Sequence, residues 1–149
     1  MSEKNNEKEQ VLFFTVSDQR FAVPFRLATE ISPPHNILPL INVAPHVLGV
    51  INFKGKVLPV LDILKIAVPG HKTRFEPGNI LIMHKNGIEI GILIDGIPKI
   101  DSVDLSDFVP LSGLKESPFS GLMVQEIKYE DVLYGVLDTD AVIKSKAAK

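Results

Sequence analysis

Val50-Ile51-Asn52-Phe53 and Val57-Leu58-Pro59-Val60-Leu61 are two short apolar runs separated by Lys54-Gly55-Lys56. This spacing restricts the fold more than any other feature of the chain. β-branched and aromatic side chains suit a pleated, half-buried surface. Gly55 supplies the positive φ that a tight hairpin turn requires. The same construction recurs downstream, where Asn79–Lys85 and Ile88–Asp95 flank Asn86-Gly87, the strongest hairpin signal in the sequence. A chain of paired short runs has little room for long helices, and its 11 prolines remove more.

Reading outward from these hairpins, Val11–Val16 and Phe21–Pro24 form a first pair of strands around Ser17-Asp18-Gln19-Arg20. Phe25–Ile31 fits either a short helix or an edge segment. Pro33, Pro34 and Pro39 exclude helix until after Pro45. Leu64–Ala67 reads as a helical turn stopped by Pro69-Gly70, and residues 71–78 as a polar loop. Ile97–Val103 is a further strand, and its early proline suits an edge or a bulge. Residues 104–120 are loop-rich. Gly121–Lys128 and Asp131–Leu137 make a last hairpin around Tyr129-Glu130, and Ala141–Lys149 a terminal helix. Val57–Asp62 and Val132–Asp138 echo each other, each after a strand beginning at a glycine, Gly49 or Gly121. The sum is a mainly β barrel or sandwich.

Composition narrows the function classes. Net charge is −2, which gives no electrostatic footprint for nucleic acid or an anionic membrane. No apolar run is long enough to span a bilayer, and the N-terminal residues lack the apolar core of a secretory signal. Cysteine is absent, which excludes disulfides and thiolate metal sites. The expected compartment is the cytoplasm. His35, His46, His71 and His84 show no i, i+2 or i, i+4 spacing, and no phosphate-cradling glycine string or nucleophile-elbow serine occurs. No metal or cofactor is expected. Asp62 and Asp95 end β-runs and read as turn or cap residues, Asp138 or Asp140 as the N-cap of the terminal helix. Most of Phe13, Phe14, Phe21, Phe25 and Phe53 belong in a core, with one or two at an interface.

The segment Gly49-Val50-Ile51-Asn52-Phe53-Lys54-Gly55, continued by Pro59-Val60 and Asp62-Ile63, resembles the signature hairpin of the CheW-like adaptor family of bacterial chemotaxis. That family carries Gly-Val-Ile-Asn-Leu-Arg-Gly, so Phe53 stands for Leu and Lys54 for Arg. Glu30-Ile31, Pro45–Leu48, Gly91–Ile97 and Ser120-Gly121-Leu122 resemble further family segments in the same order. The resemblance implies two packed five-stranded SH3-like β-barrel subdomains with a short C-terminal helix. It places them in a single domain over residues 11–144, with tails at 1–10 and 145–149. It implies a non-catalytic scaffold that couples the cytoplasmic tip of a methyl-accepting chemoreceptor to the regulatory domain of a CheA-type histidine kinase. Such a scaffold would sit at receptor arrays on the inner face of the membrane through its partners, without inserting into the bilayer. By the same resemblance, Glu30, Gly49 and Lys54 contact the receptor, and Leu12, Phe25 and Ile97 contact the kinase. An adaptor of a pilus or surface-motility pathway, or a ligand- or peptide-binding barrel without a kinase partner, are the alternative readings. Lys54 sharpens the choice, because lysine offers a point charge where arginine offers a planar fork.

Overall fold

Four tight turns organise the chain. Ser17-Asp18, Lys54-Gly55, Asn86-Gly87 and Glu130-Asp131 all have positive φ at both residues, the backbone that matches the twist of paired strands. The computed structural model describes residues 7–33 and 36–145. The expected tails and His35 lie largely outside those residues. Strands β1 (Lys8–Val16) and β2 (Gln19–Pro24) lead through a single 3-10 turn at Phe25–Leu27 into β3 (Ala28–Ser32). Then come β4 (Val47–Phe53), β5 (Lys56–Leu61), the one-turn helix α1 (Leu64–Ala67), β6 (Gly78–Lys85) and β7 (Ile88–Asp104). The short β8 (Phe108–Val109), β9 (Met123–Tyr129), β10 (Val132–Leu137) and helix α2 (Thr139–Lys144) complete the described chain.

These strands form two units that share β7. One runs β3-β6-β7-β5-β4, using the first half of β7. The other runs from the second half of β7 through β1, β2, β10 and β9 to β8. Each curls around its own apolar core. Ile51, Phe53, Leu58, Val60, Ile80 and Ile82 fill the first. Val11, Phe13, Ala22, Val103, Ile127, Tyr129 and Val136 fill the second, where Phe13 stacks on Tyr129 with ring centroids 3.9 Å apart. The largest cluster lies between the two, built by Leu12, Phe14 and Phe21 from one side and Leu81, Met83 and Ile92 from the other, with Val142 and Ile143 of α2. Strand alternation explains this: even-numbered β1 residues face the shared layer and Val11 and Phe13 face their own barrel. The expected two-barrel, mainly β fold is the one observed.

The pairing scheme of one barrel repeats in the other. Val60 and Leu61 of β5 pair in parallel with Gly91 and Ile92. Gly135 and Val136 of β10 pair in parallel with Phe21 and Ala22. Asp62 donates its N–H to the carbonyl of His46, and Asp138 donates its own to Leu122. The register slips at matching places, between Val47 and Gly49 and between Met123 and Gln125. The sequence echo is therefore structural, with one correction: Gly49 corresponds by register to Gln125, and Gly121 sits in a 3-10 turn ahead of β9.

Other boundaries also differ. β1 begins at Lys8, with Lys8–Gln10 paired to Ser102–Asp104. Ile88–Asp95 and Ile97–Val103 are one bent strand, because Gly96 takes φ +52 at the junction and the ladder with β1 slips there. Phe25–Ile31 is both expected alternatives in succession, a 3-10 turn and then a strand.

Candidate functional site

Glu30 and Lys54, 24 residues apart in the chain, meet at the rim of the first barrel. Lys54 Nζ lies 2.7 Å from Glu30 Oε1. The turn that carries Lys54 also swings its ammonium over the Phe53 ring, 5.3 Å from the centroid. Both side chains keep substantial solvent exposure, so the pair contributes little to stability and stays available to a partner. Gly49 has a different role. It is buried at φ +150, and a Cβ there would collide with the backbone carbonyl of Leu38. Its bareness lets Leu38 exchange two 2.9 Å backbone hydrogen bonds with Val50. Ile51, Phe53, Leu58 and Val60 point into the barrel, so Val50, Val57 and Leu38 share the outer face. Val57 is 68% exposed and Leu38 65%. The result is an open apolar face beside a surface ion pair.

A second surface lies where β1, β3 and β7 meet. Leu12, Phe25, Ala28, Glu30, Ile31 and Ile100 line an apolar groove of about 330 Å³. Leu12 is fully buried and can supply only its floor. Phe25 is 39% exposed and Ile100 46%, and these give it graspable apolar area. Ile97, at 84% exposed, stands on the same strand outside the lining. Neither Ile31, named only within the Glu30-Ile31 segment, nor Ile100 is a contact residue expected from the sequence. The signal for them is the repeat itself, because Ile31 pairs with Leu81 as Ile100 pairs with Leu12. Glu30 borders the groove and also faces Lys54, so the two candidate surfaces adjoin at that residue.

Several acids and histidines hold loops in place. Asp95 accepts the N–H groups of Ser17 at 2.8 Å and Glu76 at 3.1 Å. Buried Asp62 accepts from Leu64 N–H and the Thr73 hydroxyl, whose oxygen lies 3.1 Å from His71 Nδ1. His46 packs inside, with Nε2 2.8 Å from the carbonyl oxygen of Ser145. Asp138 caps α2 by accepting from Ala141 N–H. Among the described residues, no three His, Cys, Asp or Glu side chains gather in a way that could hold a metal ion, and no helix is long and apolar enough to cross a membrane.

A model of the CheW-like domain matches residues 10–147. The chain belongs to the CheW-like family. Chemotaxis protein CheW of Bacillus subtilis (strain 168) is 26% identical over 144 residues, covering 95% of this chain and 90% of that protein. Protein FrzA of Myxococcus xanthus is 30% identical over 104 residues, covering 68% of this chain and 64% of that one. Among solved structures, the scaffolding protein TtCheW from Thermoanaerobacter tengcongensis matches with a TM-score of 0.77 over 93% of this chain and 90% of its own, at 16% identity. The CheW-like fold thus spans both barrels described above.

Proposed function

We propose that this CheW-like chain is a non-catalytic adaptor of a bacterial chemosensory pathway. It joins the cytoplasmic tip of a methyl-accepting chemoreceptor to the regulatory domain of a CheA-type histidine kinase. The observation that carries this reading is the open β4–β5 face, where exposed Leu38 and Val57 lie beside the Glu30–Lys54 ion pair. An amphipathic helix lays its apolar side on such a face and its charged flank on such a pair. The Phe25–Ile100 groove, with Ile97 at its margin, is the kinase side. Residues 11–144 act as one unit in this role, held at the inner face of the membrane by the receptor. The relatives named CheW support the same reading.

Calorimetric titration with a soluble receptor fragment and, separately, with a CheA regulatory domain tests it. Saturable binding of both is expected, and failure of several such domains to bind at tens of micromolar overturns it. Lys54 makes the test sharper. Lys54→Arg adds a second parallel donor toward a partner carboxylate, so receptor affinity rises several-fold while kinase affinity stays put. A peptide-binding barrel with no receptor partner shows no such selective gain.

A further inference from the structure

The two barrels are closed differently at corresponding ends. By strand register Gly49 corresponds to Gln125, Gly78 to Glu9, Leu93 to Pro24 and Ile37 to Phe108. In the first barrel this ring is apolar and sealed. Ile37 and Leu93 pack on its core. Both glycines are crowded, since a Cβ on Gly49 would stand 2.8 Å from Ile37 Cγ2 and one on Gly78 would meet the carbonyl oxygen of Ile94.

In the second barrel the same ring carries polar groups. Glu9 lies opposite Val103 and Gln125 opposite Val136. Both partners belong to the second core, and directly opposite residues share a face, so Glu9 and Gln125 turn into the barrel mouth. With Pro24, Arg26, Phe108 and Val136 they line a cavity of about 240 Å³. It shares no lining residue with the Phe25–Ile100 groove. The Gln125 carboxamide makes no hydrogen bond among the described residues. Polar side chains at a barrel end whose twin is sealed by glycine and isoleucine point to a use beyond the fold.

The charges decide what this mouth accepts. Glu9 is anchored on β1 with its side chain 21% exposed, whereas Arg26 is 68% exposed and projects from the 3-10 turn. Arg26 reaches Glu9 through one contact, Nε to Oε2 at 3.0 Å, and a pair this open is weak and exchangeable. The fixed charge is therefore the carboxylate, and Arg26 is a cover that a competing cation displaces. Phe108 adds an aromatic wall, which favours a cation, and Pro24 and Val136 suit an alkyl chain. An adjoining cavity of about 220 Å³ shares Pro24, Arg26, Gln125 and Val136 and extends to Thr139 and Asp140. The Thr139 hydroxyl is buried without a hydrogen-bond partner among the described residues, which is costly until something supplies one. We propose that the mouth of the second barrel binds a primary alkylammonium group, carried by a free amine or by the lysine side chain of a peptide. The ammonium replaces Arg26 on Glu9 and donates to the Gln125 carbonyl oxygen. Its alkyl chain lies along Pro24 and Val136, and a polar group at the far end meets Thr139.

Chemical-shift titration of the intact chain with n-butylammonium tests the site. Saturable shifts at Glu9, Phe108, Gln125 and Val136 are expected, with the millimolar affinity that suits a ligand of so few atoms. The anion n-butyrate is expected to leave them unmoved. Glu9→Gln is expected to weaken binding at least tenfold. Arg26→Ala removes the competitor and is expected to tighten binding several-fold, a gain that a purely structural Glu9–Arg26 pair does not give. Diaminobutane and Nα-acetyl-lysine amide, titrated alongside, separate the two sources, the tighter ligand marking the one the site is built for. Absence of shifts at tens of millimolar in both the wild type and Arg26→Ala overturns the site. So does an equal response to butyrate, undiminished binding by Glu9→Gln, or weaker binding by Arg26→Ala.

Discussion

Gly49 illustrates what a single residue decides here. From the sequence it is a glycine that opens a family signature, placed at the receptor by resemblance. Why no other residue suits the position becomes visible only with Leu38, eleven residues away, whose carbonyl fills the space a Cβ would take. Gly49→Ala must shift β4 away from that segment at a backbone angle L-residues avoid, at a cost of about 3 kcal/mol. Urea unfolding of the variant checks this, and a loss under 1 kcal/mol refutes it. Lys54 is the opposite case, exposed and loosely held, so its substitution is expected to change binding and leave stability within about 0.5 kcal/mol. Glu126 is a third kind. Burial pushes its carboxyl upward, but the amides of Ser112, Leu114 and Gly113 together outweigh this and hold its pKa below the ordinary 4.5. A carboxyl depressed in the folded state adds stability above its unfolded pKa and loses it as pH falls through the folded one. Wild type minus Glu126→Gln stability is therefore expected to be constant from pH 7 to about 5 and to shrink below 4.5, as measured by denaturant midpoints across pH.

At the scale of elements, the hairpins were legible because two-residue turns leave local marks. Asn86-Gly87 and Lys54-Gly55 announce themselves through glycine. Ser17-Asp18 and Glu130-Asp131 take the same left-handed backbone without one, and their boundaries were read a residue or two off. β7 was divided in the sequence because Asp95-Gly96-Ile97-Pro98 is a local run of breakers. In the fold those residues bend a strand that passes from one barrel into the other, and no local window shows that continuity. The terminal helix was expected over Ala141–Lys149 behind an Asp138 or Asp140 cap, and α2 starts earlier, spanning Thr139–Lys144. A helix of 6 residues has no stability alone. Asp138 caps it, Val142 and Ile143 bury in the shared layer, Lys85 pairs with Asp140 at 3.0 Å, and His46 meets Ser145. Asp138→Ala is expected to cost about 1 kcal/mol. Amide exchange in residues 139–144 should rise more than exchange in β6, and uniform acceleration of both contradicts a local cap.

At the scale of the molecule, the adaptor role depends on two barrels that keep a fixed relation to one another. The largest apolar layer belongs to neither barrel alone, and β7 runs through both. The sequence carried the apolar count needed for such a layer but not its location, since strand alternation marks two faces without saying what each one meets. Glu30 and Lys54 were named from resemblance, and their 2.7 Å contact required the register of the first barrel. The shared layer has a thermodynamic consequence that composition makes easy to read. Tryptophan is absent and the chain has 2 tyrosines, Tyr129 and Tyr134, both in the β9–β10 barrel. Tyrosine fluorescence therefore reports that barrel alone, while far-ultraviolet dichroism reports both. If the layer welds the barrels into one cooperative unit, the two signals trace a single coincident transition in urea. Met83 lies in β6 of the other barrel, fully buried in the shared layer. Met83→Ala is expected to cost about 2–5 kcal/mol and to shift the tyrosine transition by as much as the dichroism transition. A tyrosine midpoint left in place by that substitution would mean that the barrels unfold independently, and that the fixed geometry between the receptor and kinase surfaces is not maintained by this layer.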